Sequence, residues 1–130
     1  MAQFGAATTR REVVAAFPER VKDKTFLITG PSPSGIGSAT AYALATGAPR
    51  TLVLLARSKA KYQPVTDNIH DIDPLVNVKF VEIDLACMAS VRKATEAILA
   101  DRDITTIDGV FNNAGVITND LIRTPDRFES

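Results

Sequence analysis

The sequence predicts an α/β fold: half of a doubly wound parallel sheet, with strand order 3-2-1-4 and right-handed crossovers. Three observations support this fold. Four short apolar runs alternate with stretches of helical pattern, a glycine-rich segment lies where the first run passes into a helix, and the third run carries charges. The runs are residues 25–28, 51–55, 78–83 and 107–111. We expect residues 1–130 to form one domain.

The chain begins with a predicted short helix over residues 9–17. Thr9 is followed three positions later by Glu12, which is the spacing of a capping box, and Pro18 ends the run of helically spaced apolar residues. The first strand, TFLI at 25–28, then enters the sheet.

The next helices differ in the strength of their signal. Residues 37–46 are rich in alanine and predict a helix that lies close to the sheet, with Gly47 as its stop.

The strand TLVLL at 51–55 is apolar throughout, as expected when both faces are covered. Pro64 falls inside the helical pattern of 59–70, so this helix is expected to start at Pro64 or to bend there.

The last elements complete the alternation. In the strand at 78–83 the apolar and polar residues alternate less cleanly than in the second strand, which predicts a position at the sheet edge. Residues 88–100 place their apolar side chains on one helical face. The fourth strand, 107–111, is expected beside the first.

Composition excludes several classes of partner and site. The 15 Lys and Arg residues balance 15 Asp and Glu residues without long blocks of one sign, which disfavours nucleic acid and anionic membranes. The single cysteine, Cys87, excludes an internal disulfide and a cysteine metal site. No apolar run reaches membrane-spanning length and the start lacks a signal peptide, so a cytoplasmic location is expected.

Other polar residues have structural interpretations. His70 is predicted at a helix end rather than in catalysis. The aspartates at 101, 103 and 108 lack the spacing of a calcium loop and are predicted to cap and solvate a turn, so no metal site is expected.

The segment TGPSPSGIG at 29–37 is predicted to bind a phosphate group. Its glycines lie at a strand-to-helix turn, where the backbone reverses sharply and approaches an anion closely, and the helix N-terminus adds N–H groups and partial positive charge. Pro31 and Pro33 have no N–H to offer. The contacts are therefore expected from Ser32, Ser34 and the amides of Gly35, Ile36 and Gly37. The alternative is a tight structural turn without a ligand.

Three motifs in order resemble the short-chain dehydrogenase/reductase family. They are TG-x4-GIG after the first strand, Asp84-Leu85 after the third, and the run Asn112-Asn113-Ala114-Gly115 after the fourth. The longer glycine loop is similar to that of fungal members near retinol dehydrogenases and in secondary metabolism. The resemblance implies a Rossmann-like fold, of which this chain covers the N-terminal half.

The resemblance also implies a site for a dinucleotide. Asp84 would accept a hydrogen bond from the adenine amino group, with Leu85 beside the ring, although Asp84 also suits a helix N-cap. Thr29 would bond back to the fourth-strand segment. The pyrophosphate and its ribose would contact Gly30, Ser32, Gly35, Ile36 and Gly37, and the cofactor would be lined by Asn112, Ala114 and Gly115.

The end of the second strand indicates NADP(H). NAD-binding members carry an acidic residue where this chain has Ala56, and the following Arg57 and Ser58 suit a 2′-phosphate. Lys59 or Lys61 is expected to assist. The alternative interpretation of Arg57 is a solvated loop cation.

The family's catalytic residues are not found in these 130 residues. In the family, hydride transfer depends on a serine and on a tyrosine four positions before a lysine, with the tyrosine as general acid/base. Here Tyr42 and Tyr62 are each followed four positions later by threonine. We therefore interpret the chain as an NADP-dependent dehydrogenase/reductase for a ketone or secondary alcohol, incomplete and inactive by itself. The alternative is a non-catalytic NADP(H)-binding module. An extended reductase or epimerase fits the glycine spacing poorly.

The fourth strand carries a further expectation. Without a neighbouring strand on its outer side, residues 107–111 would leave an exposed apolar edge. We expect this edge to pair with another chain or to make the monomer prone to aggregation.

Overall fold

The computed structural model describes residues 3–127 as a parallel sheet with helices on both faces. Helix α1 is followed by a 3₁₀ turn at Pro18–Arg20, after which strands and helices alternate. The helices are α1 (Arg10–Ala16), α2 (Ile36–Ala45), α3 (Lys59–Ile72) and α4 (Met88–Ala100). The strands are β1 (Thr25–Thr29), β2 (Thr51–Ala56), β3 (Asn77–Glu82) and β4 (Gly109–Phe111).

The predicted topology is confirmed: the sheet order is β3-β2-β1-β4 and each pairing is parallel. In the register, Leu27 of β1 lies between Val53 of β2 and Val110 of β4. Every residue of β2 is buried, as its continuous apolar sequence predicts. The edge position of β3 is also confirmed: its residues are partly buried, and the last of them, Glu82, is exposed.

The core has two parts because side chains of a strand alternate between the faces of the sheet. On one face, buried side chains of β1 and β2 pack with Val65 and Ile69 of α3 and with Ala41 and Leu44 of α2. On the other face, alternate residues of the same strands pack with Ala94 and Ile98 of α4. Because all the strands are parallel, the loops that follow them lie together at the carboxyl edge of the sheet.

The leading helix is confirmed by its cap. The Thr9 side chain accepts a hydrogen bond from the Glu12 N–H at 3.3 Å, and the Glu12 carboxylate accepts one from the Thr9 N–H at 2.7 Å. The Thr9 hydroxyl, which donates to the Glu12 carboxylate at 2.6 Å, and then the Thr9 N–H hold the pKa of Glu12 below its ordinary value. Helix α1 packs against α2. The chain just after α2 is also close to α1, because a Cβ added to Gly47 would lie 2.8 Å from a methyl group of Val14.

Two details differ from the sequence predictions. The expectation that the third helix starts at Pro64 is wrong, because α3 begins at Lys59 and holds Pro64 inside it. The N–H that proline lacks would have paired with the Ala60 carbonyl, and both residues are exposed, so water can reach that oxygen. The left-handed residue after α2 is Ala48, at φ 55°, rather than Gly47.

Strand β4 pairs only with β1 among the described residues. Its Val110 is 54% exposed and Phe111 is 37% exposed, so the edge is apolar and open, as expected. Within residues 3–127, none of the helices combines the length and apolar character that crossing a membrane requires.

Candidate functional site

A cavity of about 960 Å³ opens at the carboxyl edge of the sheet. The strand order reverses between β1 and β4 at this edge, and such a switch point is where open α/β sheets bind ligands. Segments following all four strands line the cavity. The lining residues that the sequence predicted for the site are Gly30, Ser32, Arg57, Asp84, Leu85, Ala114 and Gly115.

The glycine loop turns tightly beside the cavity. Gly30 has φ +62°, and a Cβ there would lie 3.0 Å from the Cα of Ala114, so glycine meets both a conformational and a steric requirement. The Gly30 N–H donates to the Leu55 carbonyl at 2.9 Å. Inside the loop, the Gly35 N–H donates to the Ser32 carbonyl at 2.9 Å.

Helix α2 starts at Ile36, so its first N–H groups have no partner within the helix and face the end of the loop. This arrangement is the one expected for anion binding at a helix N-terminus. Some of the predicted contact residues do not line the cavity. They are Ser34, Gly35, Ile36, Gly37, Ser58 and Asn112.

Asn113 connects the ends of β1 and β4. Its side-chain amide donates to the backbone oxygens of Thr29 at 3.1 Å and Gly30 at 3.0 Å. The Ala114 N–H donates to the Thr29 hydroxyl at 3.0 Å, and that hydroxyl donates to the Phe111 carbonyl at 3.4 Å. The predicted link from Thr29 to the fourth-strand segment is confirmed. Asn113 itself lines the cavity, and it belongs to the Asn112–Gly115 motif that the sequence predicted to line the cofactor.

Asp84 shapes the turn between β3 and α4. Its Oδ1 accepts a hydrogen bond from the Ala86 N–H at 3.0 Å, and its own N–H donates to the Ser90 hydroxyl at 2.8 Å. The alternative that Asp84 is the N-cap of the next helix is wrong, because the N-cap is Cys87. The side chain is exposed on the cavity and held by the turn.

Asp126 caps α4 from a distant part of the chain. The N-cap Cys87 provides no side-chain hydrogen bond, and the Asp126 carboxylate instead accepts one from the Met88 N–H at 2.5 Å. The Arg127 N–H closes a turn on the Thr124 carbonyl at 2.8 Å. Asp126 and Thr124 thereby form part of the cavity wall. The sequence analysis missed both residues because a cap supplied by a remote segment leaves no local pattern.

The histidine and the aspartates to which the sequence analysis assigned structural roles contact other parts of the fold. Nε2 of His70 is 3.2 Å from the Val76 carbonyl oxygen at the end of α3. Asp108 accepts a hydrogen bond from the Thr25 N–H at 2.9 Å, and Lys79 forms ion pairs with Asp101 and Asp103 at 3.2 and 2.7 Å. In the described part of the chain, no group of three His, Cys, Asp or Glu residues is arranged to hold a metal ion.

Comparison with known proteins places this architecture in a family. The family model described as the KR domain matches residues 24–128. The chain is 35% identical over 112 residues to the short-chain dehydrogenase/reductase prx1 of Penicillium rubens, covering 86% of this chain and 31% of that protein. The chain belongs to the short-chain dehydrogenase/reductase family. The oxidoreductase fscI of Fusarium equiseti is 32% identical over 114 residues, covering 88% of this chain and 43% of the relative.

The expected likeness to fungal dehydrogenase/reductases is confirmed by these two relatives, and the chain spans less than half the length of each. The L-sorbose reductase of Gluconobacter frateurii, whose structure is a complex with NADPH and L-sorbose, superposes with a TM-score of 0.65 at 28% identity. That match covers 78% of this chain and 37% of the reductase. The Rossmann-like fold is thus shared with a reductase of the same family.

Proposed function

We propose that the cavity at the carboxyl edge binds NADP(H) as the dinucleotide-binding half of a dehydrogenase/reductase for a ketone or secondary alcohol. The observation that carries this proposal is that Gly30 and Ser32 of the glycine loop line one cavity with Arg57 and Asp84 at the switch point of the sheet. The NADPH in the related L-sorbose reductase supports it.

We propose the following arrangement of the dinucleotide along the predicted site residues. In this proposal the pyrophosphate lies over the glycine loop, from Gly30 and Ser32 to the first amides of α2. The adenine lies beside Asp84 and Leu85. On the far side, the nicotinamide half runs along Asn112, Ala114 and Gly115. When bound, the cofactor would supply or accept the hydride.

The 2′-phosphate is assigned to the end of β2. Ala56 is buried and provides no carboxylate for a ribose 2′-hydroxyl, and Arg57 follows it as an exposed cation on the cavity. A guanidinium matches a phosphate with paired N–H groups, and the hydroxyl of Ser58, the N-cap of α3, would add a donor. This arrangement favours NADP(H) over NAD(H).

The substrate chemistry follows from the family and is part of the proposal. The related L-sorbose reductase acts on a sugar ketone, and a carbonyl or alcohol substrate is proposed here by analogy. No tyrosine in these 130 residues precedes a lysine by four positions, so we propose that the chain alone does not perform the reaction. A non-catalytic NADP(H)-binding module is the second candidate, supported by the same observation.

Titration calorimetry with NADPH and NADH tests the binding proposal. Arg57→Ala should weaken NADPH about 10- to 100-fold and leave NADH almost unchanged, because a hydrogen bond to a charged group contributes about 1.5–3 kcal/mol. Arg102→Ala, in the turn after α4 at the other edge of the sheet, is the control. Absence of NADPH binding, or equal loss of both dinucleotides in Arg57→Ala, would overturn the proposal.

Reading the gene beyond Ser130 separates the two candidates. A following serine and Tyr-x-x-x-Lys motif, together with NADPH-dependent reduction of a ketone by the longer protein, supports the enzyme. Cofactor binding without those residues supports the binding module.

The open edge of β4 is the proposed contact with a second chain. Val110 and Phe111 present apolar side chains there beside unpaired backbone groups. The chain should therefore associate as its concentration rises in light-scattering measurements, and Val110→Lys should reduce the association. A monomer at micromolar concentration with a sharp and reversible melt would contradict the proposal.

A further inference from the structure

We infer that Asp126 is a positioning residue for the adenine end of the cofactor, acting through its hydrogen bond to Met88. In this inference Asp126 holds the turn at residues 84–88 at the cavity, so that the Asp84 carboxylate can accept a hydrogen bond from the adenine amino group. Asp126 acts on the turn and not on the base. The inference deepens the proposed function and rests on it.

The turn at residues 84–88 joins β3 to α4 and forms one wall of the cavity. Four of its residues line the cavity, and they are Asp84, Leu85, Ala86 and Met88. Burial of apolar side chains contributes little to holding this turn, because Leu85 is 52% exposed and Met88 is 40% exposed. Its position therefore depends on hydrogen bonds.

The hydrogen bonds inside the turn are local. The Ala86 N–H donates to Oδ1 of Asp84 at 3.0 Å, and the Asp84 N–H donates to the Ser90 hydroxyl at 2.8 Å. These two bonds fix the shape of the turn, but they do not tie it to a distant part of the chain. The Met88 N–H does so, since it donates to the Asp126 carboxylate at 2.5 Å across 38 residues of sequence.

Asp126 is itself held in place. It lies in a turn that the Arg127 N–H closes on the Thr124 carbonyl at 2.8 Å, and the ring of Pro125 restricts the backbone inside this turn. Thr124 and Asp126 both line the cavity. The carboxylate that accepts from Met88 is thus presented by a closed turn at the cavity wall.

The charge of Asp126 separates positioning from a simple electrostatic effect. A dinucleotide is an anion, and a carboxylate in the cavity wall repels it. Removal of this charge alone should tighten binding, whereas loss of a positioning contact should weaken binding and reduce the preference for adenine. A helix cap without a positioning role would change the melting temperature and leave the preference for adenine as it was.

Calorimetric titration with NADPH and the reduced form of nicotinamide hypoxanthine dinucleotide phosphate measures this preference. In the analogue an oxygen atom replaces the adenine amino group. The unsubstituted chain should bind NADPH about 10-fold more tightly than the analogue, as expected for one hydrogen bond to a charged group.

The Asp126 variants test the acceptor. In Asp126→Ala the ratio of the two affinities should fall below about 3, with NADPH weakened and the analogue little changed, because the Asp84 contact is then poorly placed. In Asp126→Asn, whose amide oxygen can still accept from Met88, the ratio should be retained. Asp120→Ala removes another exposed carboxylate of the same segment and should match the unsubstituted chain.

The same hydrogen bond can be removed at its donor. Met88 is the first residue of α4, where proline is tolerated, and the preceding Cys87 has the extended backbone that a following proline requires, at φ −133° and ψ 112°. Met88→Pro removes the N–H and keeps the Asp126 charge, so it should also lower the preference for adenine. Met88→Ala keeps the N–H and controls for the lost side chain. Circular dichroism checks the fold of every variant.

The failures are distinguishable. If the unsubstituted chain does not bind NADPH, the proposed function fails and this inference fails with it. If NADPH binds and depends on Arg57, the inference alone is overturned when the unsubstituted chain binds both ligands equally, when Asp126→Ala tightens both, or when Asp126→Ala and Met88→Pro keep the preference for adenine. If Asp126→Ala does not fold, the comparison of Met88→Pro with Met88→Ala decides.

Discussion

The side-chain amide of Asn113 donates a hydrogen bond to the backbone oxygen of Gly30 at 3.0 Å, although 83 residues separate the two in the sequence. The same amide donates to the Thr29 oxygen at 3.1 Å. One side chain therefore satisfies two carbonyl groups where β1 enters the glycine loop. This contact joins the glycine loop to the segment after β4.

Replacing Asn113 should test this connection. Asn113→Ala leaves two partly buried carbonyl groups without their donor, and we expect the free energy of unfolding to fall by about 1–3 kcal/mol. Asn112→Ala is the matched control, because Asn112 is exposed and should change stability by less than about 0.5 kcal/mol. Urea unfolding of both variants measures the difference. Equal stabilities would show that the Asn113 contacts do not stabilise the fold.

Gly37 is expected to resist substitution by alanine. A Cβ there would lie 2.6 Å from the Asn113 amide nitrogen and 2.9 Å from the Cα of Pro31. The steric cost of about 1–3 kcal/mol should exceed the gain of about 1 kcal/mol in helix propensity, so Gly37→Ala should lower the melting temperature. Gly115→Ala, with no atom within 4 Å of its added Cβ, should melt like the unsubstituted chain. A Gly37→Ala variant that melts at the same temperature would refute the close approach.

Thr51 offers a stabilising substitution. It is fully buried at the start of β2, and among the described residues its hydroxyl is the buried side-chain polar group without a hydrogen-bond partner. Thr51→Val removes the unpaired hydroxyl at nearly constant shape and should raise the free energy of unfolding by about 1 kcal/mol. Thr51→Ser keeps the hydroxyl, loses a methyl group and should lower it by about 1 kcal/mol. Denaturant unfolding measures both, and a destabilised valine variant would argue against the prediction.

Asp101 should contribute to the acid sensitivity of stability. The Asp103 N–H and then the Lys79 ammonium lower its pKa from the ordinary 3.8. A carboxylate whose pKa is lower in the folded state stabilises the protein above its unfolded pKa, and this contribution is lost as the pH falls through the folded pKa. Asp101→Asn should therefore lower the melting temperature near neutral pH, with a difference that shrinks as the pH falls below 3.8.

Thermal melts from about pH 7 to about pH 2 measure this effect. Asp71→Asn is the control, since Asp71 is an exposed carboxylate on α3 with no ion pair among residues 3–127. A difference between Asp101→Asn and the unsubstituted chain that stays constant across the range would contradict the assignment.

Much of the architecture could be predicted from the sequence because its causes are local. The capping box of Thr9 and Glu12 acts within one helical turn, and the apolar run of β2 requires a strand covered on both faces. Pro64 is a residue for which prediction from local sequence fails. Its local preference predicts a helix start, but packing of Val65 and Ile69 into the core extends α3 across it.

By itself, the sequence determined the strand order, the family and the chemical groups available at the cavity. These follow from periodicity, glycine spacing and residue type, which are read along the chain. Only the tertiary structure decided which of several similar residues contact the glycine loop, line the cavity or cap a helix. Asn113 rather than Asn112 bonds the glycine loop, Lys61 rather than Lys59 reaches the large cavity, and Asp126 caps α4. Each choice depends on the direction of a side chain toward a segment distant in sequence, and that direction is set only when the helices pack on the sheet.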